Sequence, residues 1–179
     1  HTEEVIALIP DLLNRHVSAL VLFTSWRQLN AVISGLPKTL AEGLLVQGEG
    51  SKQALLQEHR QRIDEGQSSY LFGVASFSEG LDLPGEYCRH VVIVKLPFSV
   101  PDDPVDQAIA EWAEAQGRNA FYEISVPDAS LRLVQACGRL IRSEKDYGTI
   151  SMLDKRIVTQ RYGRALIESL PPFRLDLPA

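Results

Sequence analysis

The chain has 179 residues, 45% of them hydrophobic and 23% charged, with 12 Gly, 10 Pro and 2 Cys. Chains of about 150 residues usually form one domain and bury roughly 70% of the unfolded surface, so one sizeable core is expected across residues 1–179. Collagen-like, disordered and disulfide-stapled chains are excluded by this composition. Lys and Arg total 18 against 23 Asp and Glu, a net charge of −5, which argues against a broad electrostatic grip on nucleic acid. The average hides an asymmetry. Ser99 to Ser130 carries seven acids and one base, whereas Arg132 to Arg164 carries eight bases and three acids. An anionic ligand is expected at that basic end.

Cys88 and Cys137 suit a reducing compartment and cannot supply a four-thiolate cluster. Apolar runs such as Ala19 to Phe23 and Val91 to Val94 are too short to span a bilayer, and no signal peptide is visible. Met152 is the only methionine, so the chain reads as a piece of a longer protein.

Helical and strand patterns alternate. Thr2 to His16 has helical apolar spacing with a kink expected at Pro10. Ser18 to Thr24 reads as a buried strand, and Ser25 is placed to cap a helix running to Gly35. A short strand at Gly43 to Gln47 and a polar helix at Ser51 to Glu65 follow, then strands at Ser69 to Val74 and Cys88 to Leu96. Pro104 to Gln116 and Ser130 to Ile141 read as helices, Thr149 to Leu153 as a strand, and Thr159 to Leu170 as a last helix before a Pro-rich tail. Such alternation predicts an α/β fold, a mainly parallel sheet with helices on both faces. Pro97 to Pro104 is the best linker candidate and reads as a loop.

Two segments could carry chemistry. In the helix predicted over Ser130 to Ile141, Gln135, Gly138, Arg139 and Arg142 follow one helical face, apart from the apolar stripe of Leu133, Val134, Cys137, Leu140 and Ile141. Gly in mid-helix costs about 1 kcal/mol against Ala, so a close approach at Gly138 is expected. Forked guanidinium donors beside an amide make a receptor for phosphate oxygens; the same pattern also fits an ordinary amphipathic helix with solvated arginines. The second segment, Gly73 to Gly85, follows a strand, where ligands bind in open parallel sheets. Ser76, Glu79 and Asp82 offer polar groups there. By itself it also reads as a turn-rich connection in which Asp82 and Ser78 satisfy their own backbone.

Other signals fail on context. Asp64-Glu65-Gly66-Gln67 ends a polar helix, not the buried strand a metal-binding acidic box requires. Gly48-Glu49-Gly50-Ser51-Lys52 lacks phosphate-loop spacing, and Ser51 reads as a plain cap. No Gly is followed by Lys, so a Walker A loop is absent. Cys88 and His90 are too few for a metal site, and no metal ligands are assigned.

Taken together, Val21-Leu-Phe-Thr-Ser-Trp26, Gly73 to Gly85 and Gln135-Ala-Cys-Gly-Arg-Leu-Ile-Arg-Ser143 resemble motifs IV, V and VI of superfamily 2 helicases, in order and spacing. The extended forms, with Asp154-Lys155-Arg156 downstream, resemble the XPD-like branch and within it the bacterial DinG group of DNA helicases. The resemblance implies a single RecA-like C-terminal motor domain over residues 1–179, with the three-layer P-loop NTPase-type fold. It also implies a 5′-to-3′ helicase of DNA repair driven by ATP and Mg²⁺. Its partners would be a first RecA-like domain carrying the Walker motifs, and single-stranded DNA. An iron–sulfur cluster would sit outside this fragment, and the fragment alone would not hydrolyse ATP. The implied location is the bacterial cytoplasm, at the nucleoid and not at a membrane.

By the same resemblance Arg142 is the arginine finger, Arg139 a second phosphate contact and Gln135 a nucleotide sensor. Glu79, Gly80, Asp82 and Gly138 lie near the nucleotide or couple the lobes. Thr24, Ser25, Trp26, Ser76 and Phe77 face DNA. A DinG-type nuclease and a non-motor sensing or docking module are the rival readings.

Overall fold

A parallel sheet that is buried on both faces demands near-continuous apolar strands, and two segments meet that demand in full. In the computed structural model, which describes residues 1–100 and 102–177, all six residues of β1 (Ser18–Phe23) are buried. So are the first five residues of β3 (Ser69–Val74). The elements run α1 (Thr2–Leu13), β1, α2 (Trp26–Gly35), α3 (Lys38–Ala41), β2 (Leu44–Val46), α4 (Lys52–Asp64), β3, β4 (His90–Ile93), α5 (Pro104–Ala115), α6 (Val126–Cys137), β5 (Thr149–Met152), α7 (Arg156–Thr159) and α8 (Arg161–Glu168). The five strands form one parallel sheet in the order β2-β3-β1-β4-β5. Leu20 at its centre pairs with Leu71 on one side and Val91 on the other. The expected α/β architecture is present.

Residue contacts divide the chain into two units. The first comprises His1–Lys95 and Ala136–Asp154, and the second comprises Leu96–Gln135 and the chain from Lys155 onward. The first unit holds the sheet. On one face, Ala19, Val21, Phe23, Phe72 and Val92 pack with Val5, Ile9 and Leu13 of α1 and Leu29 and Val32 of α2. The opposite parity belongs to α4, whose buried His59 has Nδ1 2.8 Å from Ser69 Oγ and Nε2 2.7 Å from the Tyr87 carbonyl. A carbonyl only accepts, so Nε2 carries the proton and Nδ1 accepts from the serine. Burial holds this imidazole's pKa below its ordinary value. Helix starts are locally encoded: Gln28 N donates to Ser25 Oγ at 3.2 Å and Ala54 N to Ser51 Oγ at 3.1 Å, each satisfying an orphan donor of the first turn.

The second unit is helical. Asp103 accepts from Val105 N at 2.8 Å and Pro104 opens α5, the expected start chemistry. A π-helical turn, Phe121–Ser125, leads into α6. Phe98, Phe121 and Tyr162 meet with ring centroids 5.3–5.4 Å apart.

Several boundaries differ from the predictions. The first helix ends at Leu13 and the polar helix at Asp64. The last helix, expected from Thr159 to Leu170, is α8 at Arg161–Glu168; the short α7 precedes it, with the extended residue Gln160 between them. The most consequential change is α6, expected over Ser130 to Ile141 and found four residues earlier at both ends. It admits Pro127 in its first turn, where a missing N–H costs nothing. The Pro97–Pro104 connection and the Pro-rich tail each include residues outside the described ones.

Candidate functional site

The site is built on the loop leaving β3. Gly73 precedes it for a steric reason: a Cβ there would lie 2.5 Å from Phe77 Cδ1 and 2.6 Å from Phe77 Cβ and Cγ. Without a side chain at 73, the 3₁₀ turn Ala75–Ser78 folds Phe77 back onto the strand, where it is 3% exposed. Ser78 Oγ donates to the Ala75 carbonyl at 2.8 Å, and Gln47 Oε1 accepts from Val74 N at 2.9 Å. Beyond this anchored turn, Glu79, Gly80 and Asp82 are exposed and Leu81 is buried.

Gly138, Arg139 and Leu140 are not on α6. They form a turn past its end, in which Arg139 N donates to the Ala136 carbonyl at 3.2 Å and Leu140 N to the Cys137 carbonyl at 3.1 Å. Gly138 therefore is not a mid-helix glycine, and the shared helical face expected for Gln135, Gly138, Arg139 and Arg142 does not exist. Gln135 is exposed on α6 and belongs to the second unit.

The two arginines nevertheless converge, by tertiary contact. Arg139 Nη1 donates to the Leu81 carbonyl at 3.2 Å, and Arg142 Nη2 donates to the same oxygen. Arg139 Nε is buried with no partner among the described residues. Burial, and next the charge of Arg142, push the Arg139 pKa below its ordinary value, while Glu79 opposes the shift. Two guanidiniums forced together with a spare buried donor form an arrangement that an anion would relieve.

The backbone carrying Arg142 is fixed as well. Asp146 Oδ2 accepts from Arg142 N at 2.8 Å and from Ser143 N at 2.7 Å, and these bonds hold its carboxyl below the usual carboxylate range. Next along the chain, the buried Arg89 donates to the Tyr147 carbonyl at 2.8 Å and to Glu86, and lies 3.8 Å from the Tyr147 ring centroid. Gly148 passes so close to the Arg89 main chain that a Cβ would strike its carbonyl.

The loop is held from α4 too, by Lys52, which closes the stretch that fails phosphate-loop spacing, and by Arg60, which belongs to no motif. Lys52 Nζ donates to the Glu79 carbonyl and Arg60 Nη2 to the Asp82 carbonyl, with Asp82 Oδ2 3.7 Å from the same guanidinium. The available signal was the spacing of Lys52 and Arg60 on one polar helix.

The residues expected to face DNA lie at the end of β1 and on the β3 loop. Thr24, Ser25 and Ser76 are exposed. Trp26 is 46% exposed at the start of α2, beside Gly48. Phe77 is buried, so its ring supports the loop and is not offered to a base. Among the described residues, no group of three His, Cys, Asp or Glu side chains could hold a metal ion, and no helix is long and apolar enough to cross a membrane.

Residues 10–173 match the family model described as the helicase C-terminal domain. The ATP-dependent DNA helicase DinG of Photobacterium profundum is 47% identical over 176 residues, 97% of this chain and 25% of that protein. DinG of Escherichia coli (strain K12) is 39% identical over 164 residues, 92% of this chain and 23% of its own length. The chain thus spans about a quarter of the curated relatives it matches. An XPD helicase structure shares the fold with a TM-score of 0.73 at 20% identity, over 94% of this chain and 30% of that one. An apo XPD structure does so with 0.71 at 22% identity, over 91% and 33%.

Proposed function

This chain belongs to the helicase C-terminal domain family, in its XPD/DinG-like branch, and we propose that it is the second motor domain of an ATP-dependent 5′-to-3′ DNA helicase. In this reading residues 1–179 act as one functional domain of a longer cytoplasmic protein. A first motor domain brings ATP by its phosphate-binding loop. The second domain completes the site with Arg139 and Arg142, and Gln135 senses the nucleotide. Mg²⁺ accompanies the substrate, and any iron–sulfur cluster belongs to the rest of the helicase.

The observation that carries this reading is the meeting of Arg139 and Arg142 at the single Leu81 carbonyl oxygen. A γ-phosphate presents three anionic oxygens to the same donors, a stronger acceptor for charge-assisted bonds. Phosphoryl transfer needs little covalent help from protein; it needs charge stabilised where it spreads over those oxygens. Arg142 supplies that charge as the in-line water attacks and the bond to the β-phosphate breaks, and Arg139 holds the phosphate in place. Glu79, Gly80 and Asp82, on the loop gripped by both arginines, pass the change in acceptor to the β3 strand end. Gly138, in the turn between α6 and Arg139, keeps the approach to the phosphates clear of a side chain. The exposed Thr24, Ser25, Trp26 and Ser76 then make a short single-stranded DNA track, with Phe77 beneath it as packing support.

The test is DNA-stimulated ATP hydrolysis by the full-length helicase carrying Arg142→Ala, with DNA binding and thermal unfolding measured alongside. Removing an arginine finger costs about 10³-fold or more in turnover, so a loss of that order with DNA binding retained is expected. An unchanged rate would remove the finger from this segment.

A further inference from the structure

The loop Glu79–Asp82 is short and irregular, exposed except for Leu81, yet three of its carbonyls end on cationic side chains from α4 and from the segment after α6. Leu81 takes Arg139 and Arg142; Glu79 takes Lys52, and Asp82 takes Arg60. Among the described residues, no main-chain N–H reaches these three carbonyls.

The spacing on α4 suits the task. Lys52 and Arg60 are eight residues apart, about 12 Å along a helix. The three steps from residue 79 to 82 reach at most about 11 Å when extended. The helix therefore presents one cation to each end of the loop. Each cation also lies against a ring just outside it, Lys52 5.6 Å from the Phe77 centroid and Arg60 5.3 Å from that of Tyr87. Arg60 keeps this position although its Nε is buried with no partner among the described residues. Gly80, at φ +70°, gives the loop a left-handed bend that glycine adopts without steric cost.

We propose that Lys52 and Arg60 are positioning residues: they hold the Glu79–Asp82 loop from α4 and thereby fix the Leu81 carbonyl from which Arg139 and Arg142 take their aim. The part of this inference that concerns turnover rests on the function proposed above; the hold on the loop does not.

Two measurements test it. In the 179-residue chain, amide hydrogen exchange is compared between wild type, the double variant Lys52→Ala/Arg60→Ala and the charge-keeping pair Lys52→Arg/Arg60→Lys. The Glu79 and Leu81 amides, which donate to Ser76 and Ser78, are expected to exchange about tenfold faster in the double alanine variant. Amides of β1 and β3 stay unchanged, and the charge-keeping pair recovers most of the protection. In the full-length helicase the double alanine variant lowers kcat of DNA-stimulated ATP hydrolysis about tenfold at nearly constant KM for ATP. Unchanged loop exchange, or equal acceleration in β1 and β3, overturns the proposal. So does a faster loop with unaltered kcat in an assay where Arg142→Ala is inactivating. If Arg142→Ala is silent as well, the reading of the arginine pair has failed, and loop exchange alone decides the hold from α4.

Discussion

His90 ties the stability of the sheet to pH. It opens β4, is fully buried, and has Nε2 2.8 Å from Ser151 Oγ on β5. The His16 ring meets it edge-on with centroids 4.9 Å apart. Burial, and after it the neighbouring His16, push its pKa from 6.5 down to about 4; Arg15 adds to the shift and the main chain of Leu12 opposes it. The unfolded chain takes up this proton near 6.5 and the folded chain only near 4. Between those values the unfolded state binds more protons. The contribution of His90 is therefore fully present above pH 6.5 and is lost as pH falls toward 4. From about pH 7.5 to about pH 5 the loss comes to about 2 kcal/mol, a large share of a typical 5–15 kcal/mol. His59 and His16, depressed first by their own burial, act in the same direction. Glu86, hydrogen-bonded to Arg89, and Asp146, bonded to the Arg142 amide, have pKa values held down and titrate below this window. Urea denaturation of the chain across that range is the assay, with wild type beside His90→Phe, which keeps a ring and removes the titration. The wild type should lose about 2 kcal/mol more than the variant between the two pH values. Equal losses in the two proteins would refute the reasoning.

Three further outcomes are expected. Gly73→Ala places a methyl within 2.5–2.6 Å of three Phe77 atoms, so overpacking should cost about 1–3 kcal/mol in urea denaturation; an unchanged midpoint would mean the turn relaxes freely. Cys88 and Cys137 are buried, with thiol pKa values pushed up to about 12 by that burial. Neither should react with an aromatic disulfide reagent in the native chain at mildly alkaline pH, and both should after unfolding; rapid native labelling contradicts this. Trp26→Ala should weaken single-stranded DNA binding by the full-length helicase by about 1–3 kcal/mol if a base stacks there, and unaltered affinity would remove Trp26 from the track.

Much of the site was legible because its parts are local. Ser25 and Ser51 announce helix starts through their own hydroxyls, and both cap as read. Ala75 to Gly85 follows a strand whose first five residues are buried, where a parallel sheet leaves its loops open. The arginine segment was found from residue type, yet the reason given for its geometry was mistaken. Apolar spacing continues through Leu140, which is 1% exposed, so the periodicity predicted a helix to Ile141 when α6 stops at Cys137. A turn can bury the next apolar residue as well as a helix can, and a 3.6-residue period does not distinguish them. Lys52 closes a stretch that fails phosphate-loop spacing and Arg60 belongs to no motif, so only their place on one polar helix marks them.

The alternation of buried strands with capped helices is written in composition and spacing, since a residue's own backbone and the water it avoids decide it. That much made an α/β protein with a parallel sheet, and its motif order pointed to a helicase motor domain. Strand order is another matter. That β1 sits between β3 and β4, with β2 and β5 outermost, depends on which apolar faces best exclude water together. The convergence of Arg139, Arg142, Lys52 and Arg60 on one loop is decided the same way. These residues are separated by up to ninety positions, and only the completed sheet, with α4 against one face and the Arg89–Tyr147 contact fixing the chain into β5, brings their charges within reach of the same three carbonyls.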